Sequence, residues 1–174
     1  MCTSINRNMI NNKIQKTFEY IDGITIDDSL LLKSVTDILD AGLKSTWKQE
    51  ERKSFNLDEQ YNIKTSVYDQ FEVQSEVVSA ITKQLSFNIH PDHIRYQVLR
   101  AGIPKHTDAK RYGIINYIIN AGGDNVVTKW YDSDDNVIET RVVEEKKWYK
   151  MKTDIDHTIE GMTSDRLMLS ISLI

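Results

Sequence analysis

One cysteine, two prolines and no apolar run of membrane-spanning length set the first limits on this 174-residue chain. Cys2 has no second cysteine to pair with, so there is no disulfide framework, and the expected setting is the reducing cytoplasm. No stretch approaches the roughly 18 consecutive apolar residues that mark a membrane span. Met1 to Lys13 is polar and lacks the apolar centre of a secretory signal. A basic stripe is missing too: the net charge of −4 is spread along the chain, which disfavours a nucleic-acid duplex as partner. Internal repeats, Pro-rich or Gly/Ser-rich linkers and long blocks of like charge are also absent.

What remains is an ordinary globular composition, 40% hydrophobic and 28% charged. A chain of this length buries about two thirds of its surface and supports one domain without disulfides. The pattern divides it into a leader with supporting helices over 1–92 and a sheet core over 93–174.

Asn-rich residues 1 to 13 read as a loosely held leader. Phe18 and Tyr20 alternate towards an Asp22-Gly23 reversal, which predicts a short edge strand. After the capping residues Asp27, Asp28 and Ser29, the set Leu31, Val35, Ile38 and Leu39 follows helical spacing and stops at Gly42. Residues 44 to 66 resist assignment, with Trp47 as the expected anchor. Val73, Val77, Val78, Ile81 and Leu85 predict a second amphipathic helix at about 72 to 86.

Beyond Pro91 the period changes to two. Ile94, Tyr96 and Val98 alternate with Arg95, Gln97 and Leu99, and Gly113, Ile115, Tyr117 and Ile119 alternate with Tyr112, Ile114, Asn116 and Ile118. A β-rich tract covers 126 to 131, and short strands fit at about 137 to 143, 146 to 152, 154 to 160 and 165 to 173. Strands separated by turn residues at this spacing predict a mainly β fold with N-terminal helices, built as an antiparallel sandwich or barrel. In the run from Arg166 to Leu173 the odd positions are aliphatic and the even ones carry Arg166, Met168, Ser170 and Ser172. Either the polar row faces water, or helices cover the aliphatic row and the polar row lines an internal cavity.

The chemistry gathers at His106-Thr107-Asp108. Residues i and i+2 of an extended segment point to one side about 7 Å apart, so this imidazole and carboxylate can converge on one ion. His157, the only histidine downstream, is the candidate third ligand. Two histidines and one carboxylate, with the opposite face open, suit a non-haem Fe(II) oxygenase. A dianionic co-substrate such as 2-oxoglutarate would also need a cation for its far carboxylate. The planar fork of Arg166, nine residues past His157, fits that task, and Ser170 on the same strand face adds a neutral donor.

His106-x-Asp108, His157 and Arg166 resemble the Fe(II)- and 2-oxoglutarate-dependent oxygenases, with the pattern nearest to that of the oxygen-sensing prolyl hydroxylases. Tyr96 stands ten residues before His106, Arg166 nine after His157 and Ser170 four further on, which are offsets that those enzymes share. The resemblance covers about residues 94 to 173. It implies a double-stranded β-helix, or jelly roll, and a reaction in which dioxygen and 2-oxoglutarate are consumed, succinate is released and a substrate is hydroxylated. It also implies co-substrate contacts from Tyr96 and Asn116, with Arg111 near the cavity mouth. Two positions depart from the pattern: Ser172 stands where those enzymes carry a bulky aromatic, and Ile118 where they carry a tyrosine. These departures bear on a prolyl-peptide substrate more than on iron or 2-oxoglutarate. A peptide, a free amino acid and a small metabolite are all open, and the tract from Lys44 to Tyr68 is where substrate-contacting loops are expected.

Other motifs read more plainly. His90-Pro91-Asp92, next to His93, is expected in a turn. Asp132, Asp134 and Asn136 imitate the start of a calcium loop, but Val137 and Val143 stand where its glycine and bidentate glutamate belong. Lys146-Lys147 beside Trp148 and Tyr149 reads as a charged edge strand. The alternative to an oxygenase is a non-catalytic jelly-roll or cupin-like module for binding or structure, and a cupin-type metalloenzyme without 2-oxoglutarate is a third reading.

Overall fold

A computed structural model describes residues 16–46, 68–85, 89–108 and 111–173. The leader over 1–13, Trp47 and most of the tract from Lys44 to Tyr68 lie outside the described residues. Among the described residues, ten strands form two antiparallel sheets. The larger has the order β1 (Phe18–Tyr20), β8 (Trp148–Lys152), β5 (Gly113–Asn120), β10 (Arg166–Leu173), β3 (Ile94–Leu99) and β2 (Tyr68–Phe71). The smaller has the order β4 (Ile103–His106), β9 (His157–Glu160), β6 (Val127–Tyr131) and β7 (Val137–Val142). The result is a mainly β, jelly-roll-like fold with few helices.

The alternation on β10 sets the two faces of the larger sheet. Leu167, Leu169, Ile171 and Leu173 join Ile94, Tyr96, Val98, Ile115 and Tyr117 in one apolar cluster. Ile38 of α1 (Val35–Asp40) and Val77 and Ile81 of α2 (Ser75–Thr82) close that cluster from outside. Each fully buried aliphatic side chain contributes about 1.5–3 kcal/mol, so this face fixes the strand's orientation. Met168, Leu99, Ile114, Ile118, Tyr149 and Met151 point the other way, into a second cluster with Trp130 of the smaller sheet. Of the two readings of β10, the structure therefore takes the one with helices over the aliphatic row and Arg166 and Ser170 inside.

The first helix is shorter than its spacing predicts. Asp27 caps a 3-10 turn at Asp28–Leu30, and α1 starts only after Ser34, whose hydroxyl accepts from Asp37 N at 3.1 Å. Leu31 is buried from extended backbone, while Leu39 is 58% exposed, so the four-residue stripe is not one helix face. The second helix is likewise limited to Ser75–Thr82. The N-terminal part also gives more than helices, because β1 and β2 form both borders of the larger sheet. As a result β8 lies inside the sheet between β1 and β5 and is not the edge strand its lysines suggest. Among the described residues no helix is long and apolar enough to cross a membrane.

Candidate metal centre

Antiparallel pairing of β4 with β9 sets His106 directly opposite His157. Side chains so placed have Cβ atoms about 5 Å apart, and here the ring centroids are 4.3 Å apart. Asp108, just past the end of β4, turns Oδ1 to 3.9 Å from His106 Nε2. Its backbone N–H donates to Thr153 O at 2.8 Å, which ties this loop to the end of β8. One donor atom from each of His106, Asp108 and His157 lies within 4.8 Å of the other two.

Both imidazoles are oriented by the main chain. His106 Nδ1 lies 2.8 Å from Pro104 O, and His157 Nδ1 lies 2.9 Å from Ile155 O. A carbonyl only accepts, so Nδ1 carries the proton in each ring and Nε2 is left to present its lone pair. His157 is 4% exposed, and burial together with neighbouring His106 pushes its pKa down to about 4. A neutral imidazole is the form that binds metal. Two such rings and one carboxylate could hold a divalent transition metal, so the residues present fit the ion that their order suggests.

Arg111, three residues after Asp108, places Nη2 3.0 Å from Asp108 Oδ1 and donates through Nη1 to Ser172 Oγ at 3.2 Å. The candidate ligand carboxylate thus has a resident counter-charge. Arg111 therefore bonds one member of the triad.

Arg166 is 2% exposed at the start of β10. Its backbone packs against the turn after β5, where Gly122 has φ +85° and a Cβ would meet Ser164 O at 2.9 Å and Arg166 Cβ at 3.1 Å, and Gly122 O accepts from Thr163 N and Ser164 N in the loop that leads into β10. The guanidinium donates from Nη2 to Tyr149 Oη at 3.0 Å, while Nε and Nη1 have no partner among the described residues. Tyr149 Oη also accepts from Asn116 Nδ2 at 3.1 Å, and Asn116 Oδ1 accepts from Ser170 Oγ. Register explains this chain of bonds, since Ser170, Asn116 and Tyr149 lie side by side across β10, β5 and β8. Because its oxygen already accepts twice, the Tyr149 hydroxyl proton has no acceptor among the described residues. Three buried donors, Arg166 Nε, Arg166 Nη1 and the Tyr149 hydroxyl, are therefore uncommitted. A buried cation without a counter-charge costs several kcal/mol, and a carboxylate would supply the charge and accept these bonds. Ser170 lies on the rung of this anion site, and Ser172, held by Arg111, is one rung away, about 7 Å along the strand.

The structure thus brings His106, Asp108 and His157 together and puts Arg166, Asn116 and Ser170 on the same interior face. Asn116 and Ser170 spend their polar atoms on each other and on Tyr149, so they act through that phenol. Tyr96 is a correction: it pairs in register with Leu169 and shares the aliphatic, helix-covered face. Its hydroxyl donates to Gln74 Oε1 at 2.7 Å and accepts from Leu32 N at 3.3 Å. On β3 the residues with the parity to face inward are Arg95, Gln97 and Leu99, because Leu99 opposes Arg166. Tyr149 was overlooked in the sequence; the two-residue step it shares with Met151 was the available signal. His90 caps the turn at Pro91–His93, and Asp132 accepts from the backbone of Asp134 and Asn136, which leaves both decoy motifs as loops.

No protein-family model and no curated protein matches this sequence. Among solved structures, the chain is similar to a prolyl-4-hydroxylase of Pseudomonas putida, with 8% identity and a TM-score of 0.51 over 95% of this chain and 97% of that one. IDO from Bacillus thuringiensis is matched at 10% identity and a TM-score of 0.39, over 79% of this chain and 95% of that one. The first likeness shows a shared fold. The second carries no argument.

Proposed function

We propose that this chain is an Fe(II)- and 2-oxoglutarate-dependent oxygenase, built as a double-stranded β-helix, that hydroxylates a peptide, an amino acid or a small metabolite. The observation that carries the reading is a buried donor set without a counter-charge, Arg166 with Tyr149, on the strand face whose Ser172 is tied through Arg111 to the Asp108 of a His-Asp-His triad. A metal site alone suits many proteins. A metal site paired with a buried carboxylate receptor suits a co-substrate with a chelating end and an acidic tail.

His106, Asp108 and His157 would hold the ferrous ion, and Arg166 with the Tyr149 hydroxyl would take the tail of the keto acid. Ser170 and Asn116 keep the phenol in place, and Arg111 keeps the Asp108 carboxylate turned to the centre. When bound, iron and 2-oxoglutarate supply oxidising power from dioxygen, with loss of carbon dioxide and release of succinate. The protein's own share is to bind, orient and exclude water, the last through Ile114, Ile118, Met168 and Trp130 around the interior. The fold shared with a prolyl-4-hydroxylase supports the reading. A cytoplasmic setting belongs to it as well. Anaerobic calorimetry tests it: 2-oxoglutarate should bind only when Fe(II) is present, His106→Ala and His157→Ala should each remove that binding, and Arg166→Met should weaken it at least tenfold.

A further inference from the structure

We infer that the primary substrate is itself an anion, carrying a carboxylate that Arg111 receives beside Ser172 at the half-buried end of β10. This assignment rests on the oxygenase reading above and extends it to the substrate.

Burial along β10 marks the solvent end of this strand face, its mouth. Arg166, Met168 and Ser170 are buried, and Ser172 is the half-buried residue of the strand. Arg111 meets Ser172 there, with 19% of its side chain exposed, and the Tyr68 phenol adjoins it. The guanidinium is thus held by Asp108, a candidate metal ligand, by Ser172 and by the Tyr68 phenol, and it keeps partial exposure. Anything it holds lies next to the reacting centre.

Charge gives the ligand class. Among the described residues around this interior and its rim, Arg95 pairs with Asp92, Arg100 with Asp69 and Arg141 with Glu139, so each is locally compensated. Arg111 is balanced by Asp108 only while that carboxylate serves it alone, so the interior holds two cations, Arg111 and Arg166, against one anion, Asp108, which the metal would share. A ferrous ion and a doubly charged keto acid cancel each other. The loaded site therefore keeps one positive charge in a half-buried setting, where screening by water is weak. Arg111 is where that charge reaches the mouth, and a planar guanidinium favours a carboxylate.

The test uses the full chain loaded with Mn(II) and 2-oxoglutarate, with each loading step measured by calorimetry before a third component is added. Probes are the N-acetyl amino acids and short acetylated peptides, each with a free C-terminal carboxylate or the matching amide. The expected result is binding confined to free carboxylates, at least tenfold tighter than the matched amides, with the preference lost in Arg111→Met and partly kept in Arg111→Lys. Ser172→Val, which removes one anchor of Arg111 without touching Asp108, should weaken carboxylate binding while Mn(II) and 2-oxoglutarate still load. A wild-type chain that loads normally and shows no carboxylate preference overturns the substrate assignment alone. A wild-type chain that takes up neither Mn(II) nor 2-oxoglutarate overturns the oxygenase reading, and this inference with it.

Discussion

Arg166 and Tyr149 meet at 3.0 Å inside the larger sheet, and the bond joins two groups that each still hold unused donors. Within the described residues nothing neutralises the guanidinium.

Arg166→Met therefore has opposite effects on stability and on binding. Removing a buried, uncompensated charge should leave the ligand-free protein as stable as before, or more stable by about 1–2 kcal/mol, despite the lost bond to Tyr149. Urea denaturation measures this, and at a 2-oxoglutarate concentration that just saturates the Fe(II)-loaded wild type the same variant should be stabilised far less. A ligand-free loss above about 2 kcal/mol would mean that the arginine is a structural strut.

Tyr96→Phe separates this chain from the family pattern it resembles. The hydroxyl bonds Gln74 and the Leu32 amide, so its removal should cost about 1–2 kcal/mol of stability. Affinity for 2-oxoglutarate should not change, because Tyr96 faces the helices. A tenfold loss of affinity in a folded variant would return Tyr96 to the site.

Acid should weaken the metal-free protein through His157. Burial holds its pKa at about 4 against an ordinary 6.5, so as pH falls the unfolded chain takes up this proton first. The contribution is full above pH 6.5, declines between 6.5 and about 4, and falls no further below that. A shift of this size corresponds to roughly 3 kcal/mol. The difference between wild type and His157→Gln in urea titrations across that range isolates it, and parallel curves would show that His157 titrates normally.

Much of this was legible in the sequence, for local reasons. The alternation from Arg166 to Leu173 fixes which side chains share a face, and the i, i+2 step brings His106 and Asp108 together. What sequence spacing misses is parity and partnership between strands. Tyr96 has a family offset from His106, yet its place opposite Leu169 turns it outwards. Tyr149 belongs to the site only because β8 lies beside β5, and that in turn requires β1 to cover the far side of β8. β2 was unreadable because Tyr68–Phe71 is four residues long and lies at the border of the sheet, where few neighbours impose a pattern. The early helix was overextended because Leu31 mimics the helical period while it packs from an extended segment ahead of the Ser34 cap.

The central claim, that one cavity holds iron through His106, Asp108 and His157 and a keto acid through Arg166, is tested most directly by anaerobic absorption spectroscopy. Adding Fe(II) and 2-oxoglutarate together should produce the visible charge-transfer band of a 2-oxo acid chelated to ferrous iron, saturating at one equivalent of metal. His157→Ala should abolish the band, and Arg166→Met should require at least tenfold more 2-oxoglutarate to reach it. A folded wild-type protein that gives no band, or one whose band is indifferent to both substitutions, would contradict the account.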